Sequence, residues 1–319
     1  MTRLRVAVIG AGPMGRLHAR AVSRSAARDG DCELAVIVDR HAARAAELAG
    51  THHVAALHDL RRLRDVDAAI VAVPTAAHVE TALALAESGL DLLVEKPLAR
   101  DAAEGMRLVE RVEALGLILQ VGHVEWYNPR WREAIARVGA PRRIRVRRLH
   151  PASERGRDID VVQDLMLHDL DWLTRTLGSE VEALEATGRD PSGGGLDEAE
   201  VRLRFRSGCV ADLCASRVHA SRERRLEIEG SAGTATVDLH APTEAESEAK
   251  GELDPLGLQW RAFVEAVTTR KPPANDGRVG VTALGWVERV RAAIRERDRG
   301  SQSGTETGAV GGHDSSVGR

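Results

Sequence analysis

Lysine is almost missing from this chain: of 45 basic residues only three are lysines, and arginine carries nearly all the positive charge. Aromatic residues make up 3%, so the cores have to be assembled from Ala, Val and Leu. Three cysteines (Cys32, Cys209, Cys214) lack metal-ligand spacing and cannot all pair, which suits a reducing cytoplasm rather than a disulfide-built secreted fold. A net charge of -3 gives no electrostatic basis for nucleic acid or an anionic membrane as partner. No apolar run is long enough to cross a bilayer, and the N-terminus enters a strand-like run at once, without a signal peptide. What is left has the composition of a soluble globular protein, 43% hydrophobic and 29% charged over 319 residues, with room for about two domains.

Scarcity makes one lysine conspicuous. Lys96 follows a short apolar run in Leu92-Leu93-Val94-Glu95-Lys96-Pro97. An ammonium can be brought toward neutral pH by burial and neighbours and then exchange a proton; a guanidinium cannot. A lysine kept at an inner-looking position among arginines therefore invites a chemical reading.

Leu4–Ile9 reads as a buried parallel strand. It is followed by Gly10-Ala11-Gly12-Pro13-Met14-Gly15 and a helical run from Arg16 to Ser25. This is a G-x-G-x-x-G between strand and helix, the context a dinucleotide fingerprint requires. Gly10 permits the tight turn, Gly12 a close approach to pyrophosphate, and Gly15 close helix–strand packing, while the helix N-terminus offers free N–H groups to phosphate. The second strand, Leu34–Val38, ends in Asp39, placed to read the ribose hydroxyls. Asp39 favours NAD by repelling a 2′-phosphate; Arg40 beside it is able to accept one, so NADP stays open. Asp39 also suits a helix N-cap for His41 onward.

Helix Ala42–Ala49, a weak strand near His53–Ala55, strand Ala68–Val73, helix His78–Ser88, strand Leu90–Val94, helix Ala102–Ala114 and strand Leu117–Val121 continue the alternation. Strands alternating with helices, without hairpin turns, imply a doubly wound parallel sheet, an α/β Rossmann domain over residues 1–122. Ligands sit at the carboxyl ends of such strands, so Pro74, Thr75 and His78, Glu95, Lys96 and Pro97, and Gly122 and His123 are expected to line the site. From His123 the pattern changes to residue-by-residue alternation in Arg142–Leu149, Val181–Thr187, Glu200–Arg206, Val210–Ser216 and Leu226–Glu229. These predict a second, α+β domain over 123–298 with a mostly antiparallel, open sheet. Its free face suits a homo-oligomer, dimer or tetramer. Arg299–Arg319 reads as a disordered tail, and Ala241–Gly251 as a solvated acidic loop.

Between the first and later strands of that domain, Asp164–Leu173 has the spacing of an amphipathic helix, with Asp164, His168 and Asp171 on one face. A salt-bridged surface and a D-x-x-x-H metal pair both fit that spacing, but a metal lacks a clear third ligand, so none is expected.

Together these motifs resemble the Gfo/Idh/MocA oxidoreductase family through about residue 298. The match rests on Gly10–Gly15, Glu95-Lys96-Pro97, Asp164-x-x-x-His168, Glu229-Gly230-Ser231-Ala232-Gly233-Thr234 and the Trp260–Ala266 helix. The resemblance implies that Lys96 and His168 act in proton transfer at a substrate carbinol while hydride passes to or from a nicotinamide. Asp164 would orient substrate hydroxyls, and Glu95 and Pro97 would fix the loop beneath the ring, with a cis peptide before the proline. Independently, oxidising an alcohol needs a base about 3 Å from the hydroxyl and a hydride acceptor on the far side. His168 has the natural pKa for that base, Lys96 can polarise the oxygen or be the base itself, and the sequence leaves the choice open. Gly122-His123-Val124-Glu125-Trp126-Tyr127-Asn128-Pro129 is similar to the G-H-x-E-R-F-N-P segment of members acting on nucleotide sugars, including UDP-N-acetylglucosamine 3-dehydrogenases, as is Asp158–Val162. His123, Glu125, Tyr127 and Asn128 are thereby substrate candidates. Trp126 and Tyr127 depart from that segment's Arg and Phe, and Arg130, Arg155 and Arg157 are the available substitutes for the lost cation. A sugar, nucleotide sugar or cyclic polyol is the expected substrate. An NAD-dependent glycoside hydrolase and a non-catalytic cofactor-sensing regulator are the alternatives.

Overall fold

In the computed structural model, residues 3–152, 159–178, 180–193, 195–240 and 253–306 are described. The first sheet is built from β1 (Leu4–Ile9), β2 (Cys32–Val38), β3 (Ala55–Leu57), β4 (Ala68–Val71), β5 (Asp91–Val94) and β6 (Leu119–Val121). Helices α1 (Pro13–Asp29), α2 (Ala42–His52), α3 (His78–Glu87) and α4 (Ala102–Ala114) are the crossovers. All neighbouring strands are parallel, in the order β3-β2-β1-β4-β5-β6. Strand order reverses between β1 and β4, and the crevice beyond their carboxyl ends is where an α/β sheet takes its ligand. Val6–Val8, Ala68–Val71 and Leu92–Val94 are wholly buried because helices cover both faces. Capping sets the ends locally: the Asp101 side chain accepts from Glu104 N at 2.7 Å, and Glu104 Oε2 accepts from Arg100 N at 3.0 Å, at the start of α4.

The second sheet contains β7 (Pro141–Leu149), β8 (Val181–Arg189), β9 (Glu198–Phe205), β10 (Val210–Ser216), β11 (Glu223–Gly230) and β12 (Gly233–Asp238), ordered β12-β11-β7-β10-β9-β8. β7 and β10 pair in parallel; the other pairs are antiparallel. Helices α5 (Pro129–Val138) and α6 (Leu167–Leu177) cover one face, where Trp131, Trp172, Ile144, Val146 and Leu226 share a core. The other face carries crossed charges, such as Arg143 with Asp212 and Arg147 with Glu223.

Several of the sequence boundaries shift. The weak strand lies at Ala55–Leu57 rather than His53–Ala55, because α2 runs to His52 and closes on His53 in the left-handed region (φ 56°). β6 begins at Leu119, and the chain at Asp164 forms a π-helical turn, Val162–Met166, before α6 starts. The last helix, α8 (Gly277–Glu306), runs into the segment expected to be a tail; residues 307–319 lie outside the described residues, as do Asp158, Arg155, Arg157 and the acidic loop. Nor is the second half of the chain confined to the second domain. In α7 (Pro255–Thr269), Trp260 and Phe263 join Val6, Val8, Ile70 and Leu93 in the core under the parallel sheet. α8 spans both units, with Leu284 in the first core and Trp286, Val287 and Val290 in the second.

Candidate active site

Gly10 has φ +104°, and a Cβ there would sit 2.4 Å from Ala72 O; at Gly15 a Cβ would stand 1.7 Å from Gly10 O. Both positions therefore demand glycine for reasons internal to the fold. Gly12 differs: a Cβ there meets nothing within 4 Å, so its bareness leaves open space beside the turn. Gly12 also caps α1 without a side-chain hydrogen bond, with Pro13 at the first helical turn, so the leading N–H groups of the helix are not taken by a cap. Open space and uncapped donors fit a dinucleotide pyrophosphate. Asp39 Oδ2 accepts from Ala11 N and Oδ1 from His41 N, both at 2.8 Å, tying the end of β2 to the glycine turn. The cap of α2 is His41 itself, so Asp39 orders the residue before the helix, and each of its oxygens has accepting capacity left over. Arg40 beside it is exposed.

Lys96 emerges from β5 in a loop held from three sides. The Lys96–Pro97 peptide is cis. Glu95 is buried, with Oε1 2.7 Å from His18 Nε2 of α1 and Oε2 accepting from Lys96 N at 3.2 Å. Burial raises the Glu95 carboxyl, but the His18 hydrogen bond and charge outweigh it and hold the group below the usual carboxylate range. From the second domain, Gln163 Nε2 donates to Ala99 O and Arg100 O, both at 3.1 Å. This stitches the π-helical turn to the lysine loop, and Lys96 Nζ then donates to Asp164 O at 2.8 Å and Oδ1 at 3.1 Å. A π turn at a working residue is a recurrent device.

His168 stands one turn beyond Asp164 and is buried, with Nδ1 sealed and without a partner among the described residues. Burial pushes its pKa well below the usual histidine value, and Lys96, Arg148, Arg224 and His123 push the same way. It is a neutral ring at physiological pH. His123 is buried too, neither ring nitrogen has a hydrogen-bond partner among the described residues, and Nδ1 lies 4.0 Å from Asp171 Oδ2. Burial lowers its pKa, Asp171 opposes, and Arg175 and Lys96 reinforce. The Lys96, Asp164 and His168 side chains and His123 thus gather where the two domains meet.

Other expected site residues turn inward instead. His78 is buried between Pro97 O (Nδ1, 2.8 Å) and Val73 O (Nε2, 2.9 Å), so it clamps the two loops rather than facing the crevice. Thr75, in the short 3-10 turn after Pro74, is also buried. Glu125 lies under the second sheet, 3.6 Å from Arg148 and 3.8 Å from Arg224. Asn128 is fully buried, capping α5 through Arg130 N (3.1 Å) and donating to Leu239 O (3.2 Å). Tyr127 buries a hydroxyl that has no partner among the described residues, and burial pushes its pKa up to about 12. Arg130 donates to Asp238 O at 3.1 Å, an internal contact. Three supporting residues had gone unread: His18, Gln163, and Asn275, whose Nδ2 holds His123 O at 2.9 Å. Only His18 leaves a sequence trace, as a polar residue on the inward stripe of α1 with Gly15, Ala19 and Val22. No His/Cys/Asp/Glu group able to hold a metal exists among the described residues.

Residues 4–123 match the family described as "Oxidoreductase family, NAD-binding Rossmann fold", and residues 130–236 match the "GFO/IDH/MocA C-terminal domain". A UDP-N-acetylglucosamine 3-dehydrogenase from Acidithiobacillus ferrooxidans is 31% identical over 92% of this chain and 98% of its own length. A solved structure of that dehydrogenase superposes with a TM-score of 0.80 at 30% identity, covering 92% of this chain and 98% of that one. An inositol 2-dehydrogenase from Rhizobium meliloti is 27% identical over 92% of this chain and 98% of its own length.

Proposed function

The chain belongs to the Gfo/Idh/MocA family of NAD-binding oxidoreductases, and from that premise we propose that Lys96, Asp164 and His168 orient and deprotonate a secondary alcohol of a nucleotide sugar that NAD would oxidise, with C3 of UDP-N-acetylglucosamine as the leading candidate. The observation that carries this reading is the lysine–aspartate contact across the two domains, with a neutral histidine one turn further on. Bound NAD supplies the hydride acceptor. The chain's own groups do the rest. Asp164 holds the Lys96 ammonium on the substrate side of the loop, where it polarises the carbinol oxygen. Neutral His168 takes the hydroxyl proton, because a ring surrounded by Lys96, Arg148 and Arg224 is free of its own proton at pH 7. Asp39, with lone pairs left over from Ala11 and His41, favours ribose hydroxyls over a 2′-phosphate, so NAD is preferred to NADP.

Identity of 31% with the UDP-sugar dehydrogenase, against 27% with the inositol 2-dehydrogenase over the same 92% of this chain, favours a nucleotide sugar over an inositol. A dimer or tetramer paired through the outward face of the second sheet belongs to the same proposal, with mass by light scattering as its check. The main test is NADH formation followed at its absorbance band over UDP-sugars, inositols and free aldoses, with NAD and NADP in parallel. The expected result is turnover of a UDP-sugar with NAD, lowered about 10²–10⁴-fold by Lys96→Ala while NADH binding persists. Turnover of inositol alone refutes the substrate assignment, and undiminished turnover by Lys96→Ala refutes the role of the lysine.

A further inference from the structure

Inward residues of β7 and β11 run as paired rows. Ile144 faces Ile228 and Val146 faces Leu226 in antiparallel register, all within the second core. Toward the π-helical turn and α6 the same rows cease to be apolar. The next inward pair is Arg148 with Arg224; His150 follows directly on β7, and the exposed Arg222 stands just before β11. Cations brought against an apolar core cost free energy unless partners offset it. For Arg148 they do: its guanidinium meets Asp169 at 2.7 and 3.0 Å and Glu125 at 3.6 Å. For Arg224 they do so poorly. Among the described residues, its nearest carboxylate oxygen, Glu125 Oε1, is 3.8 Å from Nη1 and its buried Nε has no hydrogen-bond partner, while its side chain keeps 26% exposure. His150 Nε2 is also buried, with no partner among the described residues.

This group borders the catalytic residues. Arg148 and Arg224 are among the cations that depress His168. Burial, followed by Arg224, Arg222 and Arg148, pushes His150 down to about 4, while Asp164 pulls it the other way. Among the described residues, Lys96 meets Asp164 and Arg148 meets Asp169 and Glu125, whereas Arg224 shares Glu125 only at 3.8 Å and Arg222 acts on His150, so the arginines bring a surplus of loosely matched positive charge to this edge. A neutral polyol leaves that surplus unused; a phosphate, with its several strong acceptors, matches an arginine fork and a neutral imidazole N–H.

We propose that Arg222, Arg224 and His150 form an anion subsite that takes the phosphate of a phosphorylated or nucleotide-linked sugar while the sugar ring lies against Lys96 and His168. The subsite rests on the reading of those two residues as the substrate-facing pair. A sugar phosphate and a nucleoside diphosphate sugar share the required chemistry, and the probes separate them. Inorganic pyrophosphate, a hexose 6-phosphate and UDP are titrated calorimetrically into protein saturated with NAD, so that the glycine turn is already filled. At least one binds, and Arg224→Gln and Arg222→Gln each weaken it about tenfold or more, the range of a charge-assisted hydrogen bond. UDP binding without hexose 6-phosphate binding assigns the subsite to a nucleotide, and the converse to a sugar phosphate. Arg225→Gln, on the outward face of the same strand and paired with Glu227 at 2.9 Å, leaves the affinity unchanged. Retained NADH binding shows that each variant is folded. If no phosphate binds, or if binding is indifferent to Arg222 and Arg224, the subsite is wrong. The titration needs no turnover, so it can fail while Lys96→Ala still abolishes oxidation of a neutral substrate, and can succeed where Lys96→Ala does nothing.

Discussion

Replacing His18 with leucine removes from Glu95 a partner 2.7 Å away in a pair whose side chains are only 1% and 7% exposed. The volume is nearly conserved, so the perturbation is mainly electrostatic: a buried carboxylate keeps its desolvation and loses the group that offset it. Breaking a buried pair from one side costs about 3–5 kcal/mol, and for a domain of this size about 2–4 °C of melting temperature goes with each kcal/mol. His18→Leu is therefore expected to melt roughly 6–20 °C lower. It should also slow turnover, because Glu95 Oε2 receives the Lys96 N–H and so sets the start of the lysine loop. Adding Glu95→Gln to His18→Leu removes the stranded charge and should restore much of the stability, a non-additivity that a double-mutant cycle measures. Differential scanning calorimetry with and without NAD, together with steady-state kinetics of the four proteins, supplies the numbers. If His18→Leu melts within about a degree of the parent and keeps its kcat, the pair does not hold the loop and the reasoning fails.

The glycine turn separates fold from ligand: Gly15→Ala, whose Cβ would lie 1.7 Å from Gly10 O, should lower both melting temperature and NAD affinity, whereas Gly12→Ala, with nothing within 4 Å, should spare stability and weaken only NAD binding. Fluorescence titration with NADH beside thermal melts distinguishes them, and equal destabilisation by the two variants contradicts the packing. A depressed His168 is a free base at neutral pH and is blocked only as pH falls through its own pKa, so the acidic limb of kcat/KM should lie well below 6.5; Arg224→Gln removes one depressing cation and should move that limb upward. A limb at or above 6.5 in the parent enzyme rules out His168 as the base. Stability should follow the same sign: His123, His150 and His168 all have folded pKa values below their unfolded ones, so the stability they contribute is present above about 6.5 and is lost as pH falls. Urea midpoints that stay level from pH 7.5 to 5 would contradict this.

The parallel sheet was legible because its signals are local. Leu4–Ile9 and Leu92–Val94 are near-continuous apolar runs, and a glycine with φ +104° next to a strand has few substitutes. Lys96 and Asp164 could likewise be paired from resemblance, and the side chains meet. Contacts went unread where they depend on what another segment brings to a residue. Glu125 and Asn128 sit in the same short segment as His123, yet they turn into the second core, toward Arg148 and Leu239. His78 follows the expected strand end but spends both ring nitrogens on backbone carbonyls.

Composition, periodicity and the glycine spacing by themselves determined a dinucleotide-binding half, a half-solvated second sheet and the strand ends where ligands gather. Those properties depend on residues close in sequence, which share one strand, one turn or one helix face. Only the tertiary structure decided that α7 returns to the first core, that His18 and Gln163 brace the Lys96 loop from two sides, and that Arg224 falls opposite Arg148 beside His168. Each of those contacts joins segments far apart in the chain. Burial, which sets both the cost of a charge and the proton affinity of a histidine, exists only once they have met.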